Sequence, residues 1–146
     1  MPETIAKSLY LPASRKTVWA WLTEPDKLAQ WFHAPKTPIT DGEDYALLGK
    51  DSGDTLCWGK VEEMRPVEYM RWSFNVKPAP HVVGTVEWTL EDAPGGTRLS
   101  LLHSGLPEDS DGFGLVLALD KGWHEHLLSL RKTIDDAGLA ETVSAA

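Results

Sequence analysis

The chain has 146 residues and a formal net charge of −8, with 42% hydrophobic and 25% charged residues. That length suits one domain able to bury its own core, and the composition excludes a disordered or low-complexity chain. The negative balance opposes phosphate backbones and anionic lipid, and no basic run exceeds the pairs Arg15-Lys16 and Arg131-Lys132, so neither nucleic acid nor membrane is an expected partner.

The longest apolar run, Leu115 to Leu119, is far short of the roughly 18 residues that span a bilayer. The N-terminus lacks the basic-then-apolar pattern of a secretory leader. The single cysteine, Cys57, excludes an intrachain disulfide. Together these fit a cytoplasmic location. One count is out of proportion: 7 Trp stand against 3 Phe and 3 Tyr.

Ile5 to Leu11 alternates loosely before Pro12 and reads as a first strand. Ser14 is placed to cap a short helix, Arg15 to Leu22, in which Val18, Trp21 and Leu22 share a face with Trp19 at its shoulder. Pro25 in a first turn, followed by Leu28, Trp31 and Phe32, reads as a second short helix. His33 to Asp41 contains two prolines and reads as a loop. From Tyr45 to His103 the period becomes two. Leu56 to Met64, Tyr69 to Val76, Val82 to Leu90 and Thr97 to His103 read as four strands, with Tyr45 to Gly49 a candidate fifth. Turn signals at Arg65-Pro66, Lys77-Pro78-Ala79-Pro80 and Ala93-Pro94-Gly95-Gly96 join them as hairpins, hence an antiparallel sheet.

The acidic run Glu108-Asp109-Ser110-Asp111 lacks calcium-loop spacing and is expected to be a solvated loop capping the last helix. Val116, Leu119, Trp123, Leu127, Leu130 and Ile134 are spaced 3, 4, 4, 3 and 4. They predict a long amphipathic helix ended by Gly138, with Gly114 and Gly122 blurring its start. Residues 1–139 form one domain and Ala140 to Ala146 a fraying tail. The class is α+β. The long helix finds a partner for its apolar stripe only in the sheet, and a sheet curled around it leaves a cavity between them.

The chain resembles the START-like, helix-grip (SRPBCC) superfamily, and within it most closely the family named after the activator of heat-shock protein 90 ATPase. The likeness is carried by Pro12-Ala13-Ser14 running into Val18-Trp19, by Pro25, Leu28 and Trp31, by Gly59-Lys60-Val61-Glu62-Glu63 before Pro66, and by Gly122-Trp123 with Leu127 and Leu130. It spans Ile5 to Gly138 and departs at Asp41-Gly42-Glu43-Asp44-Tyr45, where the family often has a double glycine. The resemblance implies a helix-grip (START/Bet v-like) fold: a curved antiparallel sheet wrapped around a long C-terminal helix, with two short helices after strand 1. It also implies an apolar cavity used for ligand binding, transport or occasionally catalysis. Eukaryotic co-chaperones of this kind carry a further N-terminal domain for which these residues leave no room, so the resemblance does not itself imply a heat-shock protein 90 partner.

Few residues point to chemistry. His124 and His126 lie about 200° apart on a helix and do not close on one ion. No His or Cys stands four residues from either, so no metal is expected. Phosphate-loop, dinucleotide and nucleophile-elbow motifs are absent from the sequence, so no cofactor and no catalytic residue is assigned. His33 and His81 are isolated; His103 shares parity with Leu99 and Leu101 and reads as a hydrogen-bonded core residue. Glu87 takes the face opposite Trp88 and is expected in solvent. Cys57 reads as a packed side chain.

The expected function is binding of a small hydrophobic molecule. Its cavity would be lined by Trp31, Phe32, Trp72, Phe74, Trp88, Leu99, Leu101, His103, Leu119, Trp123, His126 and Leu127, with an entrance along Trp31 to Pro35. One alternative is a small cyclase-, dehydratase- or hydrolase-like enzyme pairing His103 or His126 with Glu87. Another is a co-chaperone or stress-response module with a protein partner. The assembly is a monomer or a homodimer.

Overall fold

The computed structural model describes residues 3–49, 53–77, 79–107 and 112–136. The acidic run Glu108 to Asp111, Gly138, the tail and the side chain of His81 lie outside the described parts. Segments of period two form strands and segments of period 3.6 form helices. Their order is β1 (Glu3–Leu11), α1 (Arg15–Thr23), α2 (Pro25–Trp31), β2 (Ala34–Pro35), β3 (Asp44–Leu48), β4 (Thr55–Arg65), β5 (Tyr69–Val76), β6 (Ala79–Ala93), β7 (Gly96–Leu106) and α3 (Phe113–Asp136). All seven strands make one antiparallel sheet in the order β1-β7-β6-β5-β4-β3-β2. The sheet curves around α3, which is the helix-grip architecture expected from the sequence.

Alternation decides which side chains meet α3. In β5, Met70, Trp72, Phe74 and Val76 are buried while their neighbours face outward. Val86, Trp88 and Leu90 of β6 and Leu99, Leu101 and His103 of β7 share that inner face. α3 lays Trp123, Leu127, Leu130 and Ile134 against it. At the α1 start, the Ser14 hydroxyl accepts the Thr17 N–H at 3.2 Å, satisfying one of the first-turn donors. Trp31 ties α2 to α1 by donating its indole N–H to the Trp21 carbonyl at 2.8 Å.

Three elements differ from the sequence reading. β6 begins at Ala79, so Ala79 and Pro80 of the expected turn are strand residues, with Ala79 opposite Val76. Ala34 and Pro35, inside the expected loop, pair with Leu48 and Leu47. Two residues carry no periodicity, and proline is tolerated there because β2 is an edge strand with no inner N–H to supply. α3 begins at Phe113 and runs unbroken through Gly114 and Gly122. Each glycine costs about 1 kcal/mol against alanine, and packing of the apolar stripe on the sheet outweighs it.

The tryptophans largely fill the interior. Five of the 7, Trp21, Trp31, Trp72, Trp88 and Trp123, are buried, while Trp19 and Trp58 are half-buried. Ring contacts run from Tyr45 to Trp72 at 5.2 Å, on to Trp88 at 5.7 Å, and from Trp88 to Trp123 at 5.7 Å and Trp31 at 6.2 Å. The contacts of Trp88 are edge-to-face, the arrangement that the ring quadrupoles favour. The indole N–H groups of Trp21, Trp72 and Trp88 are buried without a hydrogen-bond partner, a cost of about 1–3 kcal/mol each that the area of the rings must offset.

Candidate ligand pocket

What the aromatic stack leaves open is a cavity of about 100 Å³ between the first half of α3 and the β4–β5 part of the sheet, open to solvent on one side. Its walls are Phe32, His33, Cys57, Phe74, Val76, Ala118, Leu119, Gly122, Trp123 and His126. An engineered cavity of roughly 150 Å³ holds benzene, so this smaller space takes a small ring only with part of it in the open mouth, or the end of a larger molecule that reaches in.

Each wall is fixed from behind. Trp123 donates its indole N–H to Nδ1 of His103 at 2.9 Å. An accepting Nδ1 requires the proton on Nε2, so His103 is a neutral imidazole, and burial holds its pKa down to about 4. Gly84 makes room for that ring: a Cβ there would lie 2.7 Å from His103 Nε2.

Phe32 is the hub of the other wall. Its ring stacks on Trp31 at 5.3 Å, tilts against Trp123 at 5.3 Å, and meets His33 at 4.6 Å and His126 at 4.7 Å. The two histidines touch edge to face at 5.1 Å. Nδ1 of His126 lies 3.2 Å from the backbone carbonyl of Trp31. A carbonyl only accepts, so Nδ1 carries the hydrogen.

Burial sets the charge state. It pushes His33 down to about 4, with the neighbouring His126 adding to the effect. It also lowers His126, against the opposing pull of the Trp31 carbonyl and of Glu125. The Cys57 thiol is pushed up to about 12 by burial, which removes it as a nucleophile near neutrality. At neutral pH the walls therefore carry no charge.

Of the residues expected to line the cavity, Phe32, Phe74, Leu119, Trp123 and His126 meet there. Trp31, Trp72, Trp88, Leu99, Leu101, His103 and Leu127 are buried in the core behind them and do not border the space. Their inward faces follow from parity and helical spacing, but the rings of Trp72 and Trp88 occupy the volume themselves. His33, Cys57, Val76, Ala118 and Gly122 complete the walls without having been singled out as lining residues. Cys57 and Val76 are cross-strand partners, and Ala118, Gly122 and His126 form one i, i+4 row on α3. His33 sits in the segment expected to form the entrance. Glu87 projects from the outer face, where its carboxylate accepts the Tyr69 hydroxyl at 2.5 Å. The pairing of Glu87 with His103 or His126 is thus not formed.

Among the described residues, no group of three or more His, Cys, Asp or Glu is placed to hold a metal ion, and no helix is long and apolar enough to cross a membrane. No curated protein matches the chain. Solved structures share its fold. Protein MLL2253 from Mesorhizobium loti aligns with a TM-score of 0.80 at 22% identity, over 92% of this chain and 98% of that one. CalU16 from Micromonospora echinospora aligns at 0.76 and 23% identity, over 99% and 87%. The Aha1 dimer from Colwellia psychrerythraea, determined in solution, aligns at 0.76 and 20% identity, over 90% and 96%. The family model described as activator of Hsp90 ATPase homolog 1-like protein matches residues 12–135, and the chain belongs to that family.

Proposed function

We propose that the chain binds a small, mostly apolar molecule in the pocket between α3 and the sheet. The observation that carries this reading is the cavity of about 100 Å³ walled by Phe32, Phe74, Leu119 and Trp123 and open on one side. Trp123 and Phe74 are buried in the core and Phe32 packs against Trp31 and Trp123, so these walls need little ordering on binding. The driving force is removal of ligand surface from water, about 25 cal/mol per Å² of apolar area. The enzyme reading lacks the His–Glu pair it needs, since Glu87 is on the outer face. The cytoplasmic location belongs to this same reading and is supported by the lone thiol.

Titration with toluene is the direct test. We expect a saturable change in tryptophan fluorescence, because Trp123 forms a wall, together with a rise in melting temperature. A flat response in both, up to the solubility of toluene, rejects the pocket as a binding site.

For the assembly we favour the homodimer. The Colwellia relative is a dimer, and Phe113 and Leu117, one turn apart on α3, are 61% and 54% exposed. Sedimentation equilibrium returning the 16.2 kDa of one chain at high protein concentration rejects it.

A further inference from the structure

We propose that His126, braced by His33, is the polar anchor of the pocket and that the bound molecule is an uncharged small ring carrying one hydrogen-bond donor, such as a phenol or an equivalent ring hydroxyl. The inference rests on the binding reading above and adds the chemistry of the ligand.

The anchor follows from the tautomer. His126 lines the cavity, and its Nδ1–H is committed to the Trp31 carbonyl at 3.2 Å. The neutral ring then has one nitrogen left, Nε2, and that nitrogen only accepts. His33 sets the ring from the side at 5.1 Å and Phe32 at 4.7 Å, so the acceptor is held before a ligand arrives.

The exclusion of charged ligands follows from what faces the pair. From β4 comes Cys57, whose thiol is protonated. From β5 come Phe74 and Val76, and from the end of α2 comes Phe32, none of them ionisable. On α3 the adjacent Glu125 is exposed, and its charge favours a proton on His126. Among the described residues, no cationic side chain lines the space. A carboxylate would meet no cationic side chain there to offset its loss of water, and an ammonium would meet no carboxylate in the walls. A neutral donor has its acceptor ready, and the apolar walls take the ring.

The test is a cycle of two ligands and two proteins. Phenol and toluene are titrated into the wild type and into His126→Phe, which keeps an aromatic ring and removes the acceptor. We expect the phenol-to-toluene affinity ratio to fall roughly 3- to 10-fold in the variant, the worth of one neutral hydrogen bond. In wild-type protein, which avoids any folding defect of the variant, phenol should shift the ¹⁵N resonance of His126 Nε2 and toluene should not. An unchanged ratio, or an unmoved Nε2 resonance at saturating phenol, overturns the anchor while toluene binding leaves the pocket reading standing. Benzoate binding more tightly than phenol at pH 7 overturns the restriction to uncharged ligands. Failure of both phenol and toluene to bind the wild type removes the anchor and the pocket together.

Discussion

His103 is 1% exposed and accepts the Trp123 N–H at Nδ1, so the folded protein resists a proton there. Its pKa is lowered from the ordinary 6.5 to about 4. As pH falls below 6.5 the unfolded chain takes up that proton and the folded chain does not, so stability declines until about pH 4. Above 6.5 the contribution is fully present. The separation corresponds to roughly 3 kcal/mol as an upper figure. His33 acts in the same direction over the same window, less strongly because it is only half-buried. In His103→Gln, which keeps an acceptor for Trp123 but does not titrate, we expect clearly less stability to be lost between pH 7 and pH 4.5. Urea unfolding at the two pH values measures it, and equal losses in the variant and wild type would show that His103 is not the group responsible.

On α3, a Cβ added to Gly122, as to Gly114, would meet nothing within 4 Å. Gly122 lines the pocket and lies inside a 24-residue helix. Gly122→Ala should therefore raise stability by about 0.5–1 kcal/mol through helix propensity alone. Gly122→Leu should keep the fold and abolish toluene binding by filling the mouth. Chemical denaturation and titration of the two variants check this; full toluene affinity in Gly122→Leu would place the binding site elsewhere. The helix shows what sequence makes legible. Its apolar stripe from Val116 to Ile134 is readable because large residues recur at 3 and 4. The row Ala118, Gly122, His126 is not, because small residues beside a large ridge leave no hydrophobic signal.

For the whole molecule, alternation placed most strands and the inward face of each, as in β5 and β7, and the family resemblance supplied the way sheet and helix combine. The two-residue β2 stayed hidden because nothing so short has a period. Volume was the deeper limit. Parity puts Trp72 and Trp88 on the concave face, yet whether a ring lines a space or occupies it depends on rotamers and on the rings beside it. Here edge-to-face contacts at 5.7 Å settle the matter in favour of filling, and the pocket survives only where Ala118 and Gly122 face Cys57 and Val76.

The sheet order also has a consequence in time. Strands β2 to β6 each pair with the next in sequence, whereas β1 pairs with β7, from Glu3 opposite Leu106 to Leu11 opposite Thr97. Closing a loop of that length costs about 3 kcal/mol more than closing a four-residue hairpin. During synthesis at ~5–20 residues per second, β1 therefore leaves the ribosome on the order of 5–20 s before its only neighbour in the sheet exists. Throughout that interval Ile5 and Leu11, both buried in the finished protein, have no sheet partner to cover them. The Lys7–Asp120 ion pair that joins β1 to α3 at 2.7 Å must wait longer still. β1 is thus made well before the strand that pairs with it, and it carries an unsatisfied β-edge until β7 is complete.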